Sequence, residues 1–352
     1  MRRSDRIIAF TETLWEWYAV HKRVLPWRDM GIADDDERAY RILVSEIMLQ
    51  QTQVDRVKIT FRTFLERFPT LHSLAEASNR DVLIAWRGMG YNSRALRLRD
   101  AARAILAKYQ IPNPNDQGRS KIQDPRSKTH TDSVFPQTMI ELMAIPGIGP
   151  YTAAAIRNFA FNLPTPCIDT NIRRILHRTF FGPENRDGTW KKDDHILLGI
   201  AEDVLQEAMD GQKDHDTRNW HAALMDFGSL IQTKRNPQWE ECPLTEKGIM
   251  VTSRKSASLP SRRSRSSAGK GWNEPGREIG GRFIPNRIIR GRIVEELRDE
   301  PKGLKLAEIG RRVCIDWAMR RHQRWMKELL EKLQKDRLIA ERKGKFLLSS
   351  DR

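Results

Sequence analysis

The stretch Ile145-Pro146-Gly147-Ile148-Gly149-Pro150 leaves the backbone few choices. Pro146 lacks the N–H that a continuing helix needs, so it ends the apolar segment holding Ile140, Leu142 and Met143. Gly147 and Gly149 open backbone angles that residues with a Cβ resist. Pro150 then heads an Ala-rich segment, Tyr151-Thr152-Ala153-Ala154, where a missing donor costs nothing. The expected product is a helix–hairpin–helix whose turn and second N-terminus aim backbone N–H groups outward, a seat for a phosphate. A plain turn between packed helices would also use these glycines. It would not explain Ile168-Asp169-Thr170-Asn171, which follows with an Asp eighteen positions after Tyr151.

A phosphate seat gives meaning to the charge. The 352 residues carry a formal charge of +16, which favours a polyanion, nucleic acid first. No apolar run is long enough to span a membrane, and Met1-Arg2-Arg3-Ser4-Asp5-Arg6 lacks the apolar core of a secretory signal. The expectation is a soluble intracellular protein without membrane contact, cytoplasmic and nucleoid-associated if the source is prokaryotic. Cys167, Cys242 and Cys314 are too few and too scattered for a disulfide framework or a four-thiolate metal site.

Helical periodicity dominates the chain. Ile7, Phe10, Leu14 and Tyr18 form one stripe; Leu43, Val44, Ile47 and Met48 form a second; Phe61, Phe64, Leu65 and Phe68 a third. Residues 111–134 are polar, Pro-containing and aperiodic, and read as a flexible insertion. Residues 251–285 hold eight Lys or Arg against two Glu in a Ser/Gly/Pro background, a basic linker. Beyond it, Ile289, Ile293 and Leu297, then Leu306, Ile309 and Val313, then Trp325, Leu329, Leu330 and Leu333 mark three helices. Leu338-Ile339-Ala340 and Phe346-Leu347-Leu348 bracket Arg342-Lys343-Gly344-Lys345 as a hairpin. Three helices and a basic hairpin resemble a winged helix; a small packing or dimerisation domain fits the same pattern.

The second informative segment is Ser45-Glu46-Ile47-Met48-Leu49-Gln50-Gln51-Thr52-Gln53-Val54. Glu46 lies among Val44, Ile47 and Leu49, so burial is expected to raise its carboxyl pKa and suit it to proton transfer near neutrality. A helix Glu paired with an Arg is the ordinary alternative.

This run resembles the signature of the MutY-type adenine DNA glycosylases, in the helix–hairpin–helix (endonuclease III-like) superfamily. The resemblance extends from about Phe10 to Pro243 and includes Leu25-Pro26-Trp27-Arg28 and Gly88-Met89-Gly90-Tyr91. It implies an all-α, two-lobed helix–hairpin–helix glycosylase domain over 1–248, which the residue patterns extend by the linker over 249–285 and the winged-helix-like DNA-binding domain over 286–352. It makes Glu46 the carboxyl that protonates adenine and later handles the water, and Asp169 the carboxylate that stabilises the cationic sugar. Asn171 helps position that chemistry, and Tyr151 stands between hairpin and catalytic helix. Arg23, Leu25, Trp27 and Arg28 fall at the base pocket. Gln51, Met89 and Tyr91 fall where residues wedge into the duplex, Thr52 beside them, and Gly147 and Gly149 face the DNA backbone. The chemistry needs such parts, because protonation improves a poor leaving group, a carboxylate offsets sugar charge, and the target must leave the stack. Relatives that nick DNA carry a Lys at position 151; a phenol cannot form their Schiff base, so the implied enzyme is monofunctional.

Two departures stand out. Most relatives ligate a [4Fe–4S] cluster through C-x6-C-x2-C-x5-C. Here the places hold Gln232, Trp239, Cys242 and Gly248, so the expectation is no cofactor and no metal, with Trp239 filling the space. The usual Nudix-like C-terminal domain is also replaced, so opposing 8-oxoguanine is not assured by resemblance. The leading expectation is a monomer that excises adenine opposite 8-oxoguanine or guanine in double-stranded DNA. A thymine or uracil glycosylase for mismatches with guanine is the alternative within enzymes, and a non-catalytic DNA-binding protein the alternative outside them.

Overall fold

The computed structural model describes residues 1–28, 31–109, 135–185, 189–210, 216–252 and 274–351. The expected insertion at 111–134 and most of the basic linker lie outside the described residues. What is described is helical apart from two short hairpins, and it forms two compact units. Among the described residues, no helix is long and apolar enough to cross a membrane.

The first unit comprises residues 1–42, 137–144 and 148–267. It holds α1 (Arg3–His21), the start of α2 (Asp35–Leu49), α7 (Met139–Met143), α8 (Pro150–Phe159), α9 (Thr170–Phe180), α10 (Asp194–Met209), α11 (Thr217–Leu230) and α12 (Pro243–Glu246). Its core starts from the α1 stripe: Ile7, Phe10, Leu14 and Tyr18 are all buried, as their spacing requires. Phe10 meets Trp220 edge to face at 6.1 Å, and Trp17 meets Phe227 likewise at 5.1 Å. Aromatic pairs in this geometry add to plain area burial. They fix α11 against α1 and so set where its later residues, Met225 to Gly228, lie.

The second unit comprises residues 43–136, 145–147 and 268–352. It takes the rest of α2, then α3 (Val54–Arg67), α4 (Leu71–Glu76), α5 (Asn79–Ala85) and α6 (Ser93–Tyr109). It continues through β1 (Gly276–Ile279), β2 (Arg282–Pro285), α13 (Asn286–Arg298), α14 (Leu306–Val313), α15 (Met319–Lys335), β3 (Ile339–Arg342) and β4 (Lys345–Leu348). Leu43, Val44, Ile47 and Met48 are buried, as are Phe61, Phe64 and Phe68. The three C-terminal helices and the basic hairpin form as expected, with Ile339 opposite Leu348 and both turn residues, Lys343 and Gly344, at positive φ.

Two expectations are corrected here. The range 249–285, read as linker, contains the β1–β2 hairpin, closed by Gly280-Gly281 with Ile279 opposite Arg282. A two-glycine turn supplies the positive φ angles a two-residue hairpin needs, and the basic composition hid it. Second, residues 274–351 do not stand as a body of their own. They share the second unit with α3–α6 through buried polar ties. Arg298, 3% exposed, donates to Leu83 O at 2.9 Å and to Asn92 Oδ1 at 2.9 Å. Asn79 Nδ2 donates to Ser349 Oγ at 3.1 Å.

Candidate active site

The hairpin forms where the sequence placed it. α7 is capped by Thr138, whose hydroxyl accepts from Glu141 N while Glu141 accepts from Thr138 N. Gly147 sits at φ +89°, a conformation that strains any residue with a Cβ. Gly149 is different from expectation. It is extended (φ −92°, ψ 177°) and serves as the N-cap of α8, so its missing side chain is not needed for φ. What it contributes is a helix N-terminus at Pro150 without a side-chain cap from its N-cap residue.

In the first unit, Asp169 is the N-cap of α9. Its Oδ1 accepts from Asn171 N at 2.8 Å and Ile172 N at 2.6 Å, and Oδ2 from Asn171 Nδ2 at 3.2 Å. The carboxylate therefore has one orientation, at the positive end of a helix. Burial nonetheless pushes its pKa above the ordinary 3.8, against those backbone hydrogen bonds and the charge of Arg174. Arg174 locks the next link by donating to Asn171 Oδ1 at 2.6 Å and to Gly228 O at 2.8 Å. Gly228 is obligatory: a Cβ there would lie 2.6 Å from Asn171 Cβ. Tyr151 Oη donates to Met225 Sδ at 3.8 Å. Tyr151 and Asn171 thus both rest on one turn of α11, Met225 to Gly228.

That same turn carries a residue the sequence reading passed over. Asp226 has a fully buried side chain and binds both candidate arginines, Arg23 just ahead of the Leu25-Pro26-Trp27-Arg28 segment and Arg28 at its end. Arg23 donates from N at 3.0 Å and Nε at 2.7 Å, and Arg28 from Nη1 at 2.8 Å. Leu25 and Trp27 are buried. The structure therefore gives Arg23 and Arg28 a holding role in the segment. A cavity of about 250 Å³ opens beside Arg28, lined also by Tyr18, Arg38 and Asn219. The available signal was a carboxylate alone in the apolar run Ala-Leu-Met-Asp-Phe-Gly, which demands a cation.

In the second unit, Glu46 lies on α2 at 8% exposure. Just beyond α2, Gln51 is exposed and Thr52 half-buried; Tyr91, 49% exposed, lies on the other loop. Gln51 and Tyr91 both have positive φ, 56° and 44°. Arg94, another residue the sequence reading missed, ties these loops together. Its Nη1 donates to Ile47 O at 2.9 Å, Met48 O at 3.0 Å and Gln50 O. Its Nη2 donates to Thr52 Oγ1 at 2.9 Å and to Met89 O and Gly90 O, each at 3.2 Å. Desolvation lowers its pKa to about 10, still cationic at neutrality. Met89, expected as a wedge beside Tyr91, is buried at 2% exposure, so the structure makes it a support for the loop.

The four places where relatives hold a cluster do not fit one. Only Cys242 is a thiol, and its Sγ accepts from Gln232 Nε2 at 3.3 Å and faces Met250 Sδ at 3.7 Å. Gln232 is fully buried; its Oε1 accepts from Arg178 Nη1 at 3.1 Å. Trp239, expected to fill the space, lies half-buried over the Arg178 guanidinium, 5.6 Å from ring centre. Gln232 and Cys242 are the buried residues of the four places, with half-buried Met250 against them. Among the described residues no cluster of three or more His, Cys, Asp or Glu is arranged to hold a metal.

Residues 44–193 match the profile of the HhH-GPD superfamily of base excision DNA repair proteins. The adenine DNA glycosylase of Mycolicibacterium smegmatis is 31% identical over 296 residues, covering 84% of this chain and 83% of that protein. That of Mycobacterium tuberculosis is 30% identical over 339 residues, covering 96% and 93%. The human adenine DNA glycosylase is 32% identical over 245 residues, but this chain spans only 39% of its length. Among solved structures, a thermostable thymine-DNA glycosylase superposes with a TM-score of 0.53 at 22% identity, over 70% of this chain and 96% of that one. A trapped endonuclease III–DNA covalent intermediate gives 0.51 at 17% identity, over 71% and 97%. These superpositions carry the all-α helix–hairpin–helix fold, and the mycobacterial identities carry more: the chain belongs to the adenine DNA glycosylase family.

Proposed function

We propose that the protein is a monofunctional DNA glycosylase of base excision repair. It hydrolyses the N-glycosidic bond of adenine placed opposite 8-oxoguanine or guanine and leaves the strand uncut. The observation that carries the reading is the fixed, desolvated carboxylate of Asp169 at the α9 N-terminus, beside Asn171 and Arg174. A carboxylate held there needs no reorganisation when positive charge develops on the sugar. At about 4 Å and an effective dielectric near 20, that attraction is worth about 4 kcal/mol, or about a thousandfold in rate.

Glu46 supplies the other half. Its carboxyl donates a proton to the adenine, the electron pair of the C1′–N bond leaves with the base, and a sugar cation remains. Water then adds at C1′ and returns its proton to the Glu46 carboxylate. Tyr151 has no amine to attack C1′, so the product is an abasic site on an intact strand. The helix–hairpin–helix at Gly147–Pro150 and the wedge loops of Gln51 and Tyr91 bind the duplex. The region from Gln232 to Met250 keeps its shape without an iron–sulfur cluster, supported by the donor set described above.

Single-turnover base release tests this on duplexes bearing A opposite 8-oxoguanine, A opposite G, T opposite G and U opposite G, with and without alkali. Release of adenine alone, with strand breaks only after alkali, is the expected result. Release of T or U sinks the adenine assignment, and breaks before alkali sink the monofunctional one.

A further inference from the structure

Within the second unit, a cavity of about 460 Å³ opens between the two wedge loops and α13. That volume lies within the range of about 300–1,000 Å³ typical of small-ligand sites, which suits one nucleotide but not a whole duplex. Gln51 and Tyr91 line one side; Arg287, Arg290 and Gly291 of α13 line the other. Val294, Leu333 and Leu338 give it a buried apolar floor.

Its charge is one-sided. Arg56, Arg287 and Arg290 face a single lining carboxylate, Asp336. Asp336 lies 3.7 Å from Arg290 and is shared with Lys332 at 2.9 Å. Arg287 meets Glu274 at 2.7 Å but stays 47% exposed, and Arg56 donates to Gly88 O at 3.1 Å. Arg287 and Arg290 also stand at the start of α13, where Pro285 is the N-cap and no side chain caps the helix. Gly291 gives an independent sign. A glycine inside a helix costs stability relative to alanine, and a Cβ added here would meet nothing within 4 Å. The wall is thus open where a ligand approaches the helix backbone.

We propose that this cavity is a nucleotide subsite: it receives one sugar-phosphate of the duplex held by the wedge loops. Arg287, Arg290 and Arg56 neutralise its phosphodiester, and the apolar floor takes the sugar. The C-terminal segment thereby forms part of the DNA-reading wall, anchored by the Arg298–Asn92 hydrogen bond next to Tyr91. This rests on the glycosylase reading above.

The test is duplex binding by fluorescence anisotropy across a salt series, using the full chain and an uncleavable A:8-oxoguanine duplex. Each phosphate contact adds about 0.9 to the slope of log K against log salt. The double variant R287A/R290A is expected to lower that slope by about 0.9, the contribution of one phosphodiester. Gly291→Phe keeps every charge but fills the cavity, and is expected to weaken binding about tenfold; Gly291→Ala, whose methyl intrudes less, is expected to weaken it by a smaller factor. Thermal melts of all three confirm folding. An unchanged slope in the double variant, or wild-type affinity in Gly291→Phe, overturns the subsite. Wild-type protein that binds DNA yet releases no base would instead sink the glycosylase reading, while the slope would still judge the subsite.

Discussion

Arg94 is the position where a conservative substitution should fail most informatively. Its guanidinium serves the end of α2 through Nη1 and the Met89–Gly90 turn through Nη2, so two loops share one side chain. Between its acceptors lie Gln51 and Tyr91, both at positive φ. Left-handed backbone costs a non-glycine residue about 1–2 kcal/mol, so the pair stores about 2–4 kcal/mol that something must offset. A hydrogen bond from a charged group contributes about 1.5–3 kcal/mol net. One good bond to each loop therefore balances the strain, and no less will. Lysine can point its ammonium at one loop but cannot fork to both. Arg94→Lys should cost about 2 kcal/mol, and Arg94→Met, which strands the carbonyls of both loops, about 3–5 kcal/mol.

The assay has two arms. Urea unfolding followed by tryptophan emission reads the stability loss. A 2-aminopurine beside the mismatch reads insertion of the wedge, since unstacking brightens it. Arg94→Lys should keep its affinity for undamaged duplex yet lose the fluorescence rise and about tenfold in single-turnover rate. A lysine variant within about 0.5 kcal/mol of wild type, with full insertion, would refute the idea that one fork holds both loops.

Other outcomes follow from the same geometry. Glu46→Gln removes the transferable proton and should abolish base release while sparing duplex binding; near-normal turnover would assign the proton elsewhere. Asp169→Asn should slow release about a thousandfold and yet stabilise the fold at neutral pH. Because the folded pKa of Asp169 is raised, the native state keeps a proton that the unfolded chain has lost, so stability falls as pH climbs above 3.8 through the raised value. The gain from asparagine, which caps as well as aspartate, should therefore vanish below pH 3.8 in acid-range unfolding curves. Tyr151→Lys places an amine on α8 and should yield some borohydride-trapped protein–DNA adduct. Purified wild type should carry no stoichiometric iron by metal analysis and no broad visible absorbance, because Cys242 is the one thiol at the four places and it is engaged by Gln232 and Met250.

What the sequence disclosed was what is local. The α1 stripe, the hairpin and the three C-terminal helices each follow from spacing and turn residues within a few positions, and the backbone obeys them. The β1–β2 hairpin was local too, but four-residue strands give too short an alternation to rise above a Ser/Arg-rich background. Asp226 and Arg94 were illegible for a different reason. Each is one charge in an ordinary helical pattern, and its meaning comes from partners about 200 and 45 residues away in the chain. The Arg298–Asn92 tie likewise spans 206 positions, so composition alone read its segment as a separate domain. Met89 erred in the other direction: a motif position gave its place on the loop but not which way its side chain turned.

The close approach of Asn171 to Gly228 also shapes how this site can change. With 2.6 Å between Asn171 Cβ and any new Cβ at 228, the two positions form a locked pair on different helices. Any side chain placed at 228 alone meets Asn171, so a library varied at that codon alone would find it immutable. Joint libraries, in which 171 gives up its Cβ as 228 gains one, open combinations that no single step reaches. Descent within the family, and any effort to redirect its base preference, must therefore cross this part of the site by paired substitution.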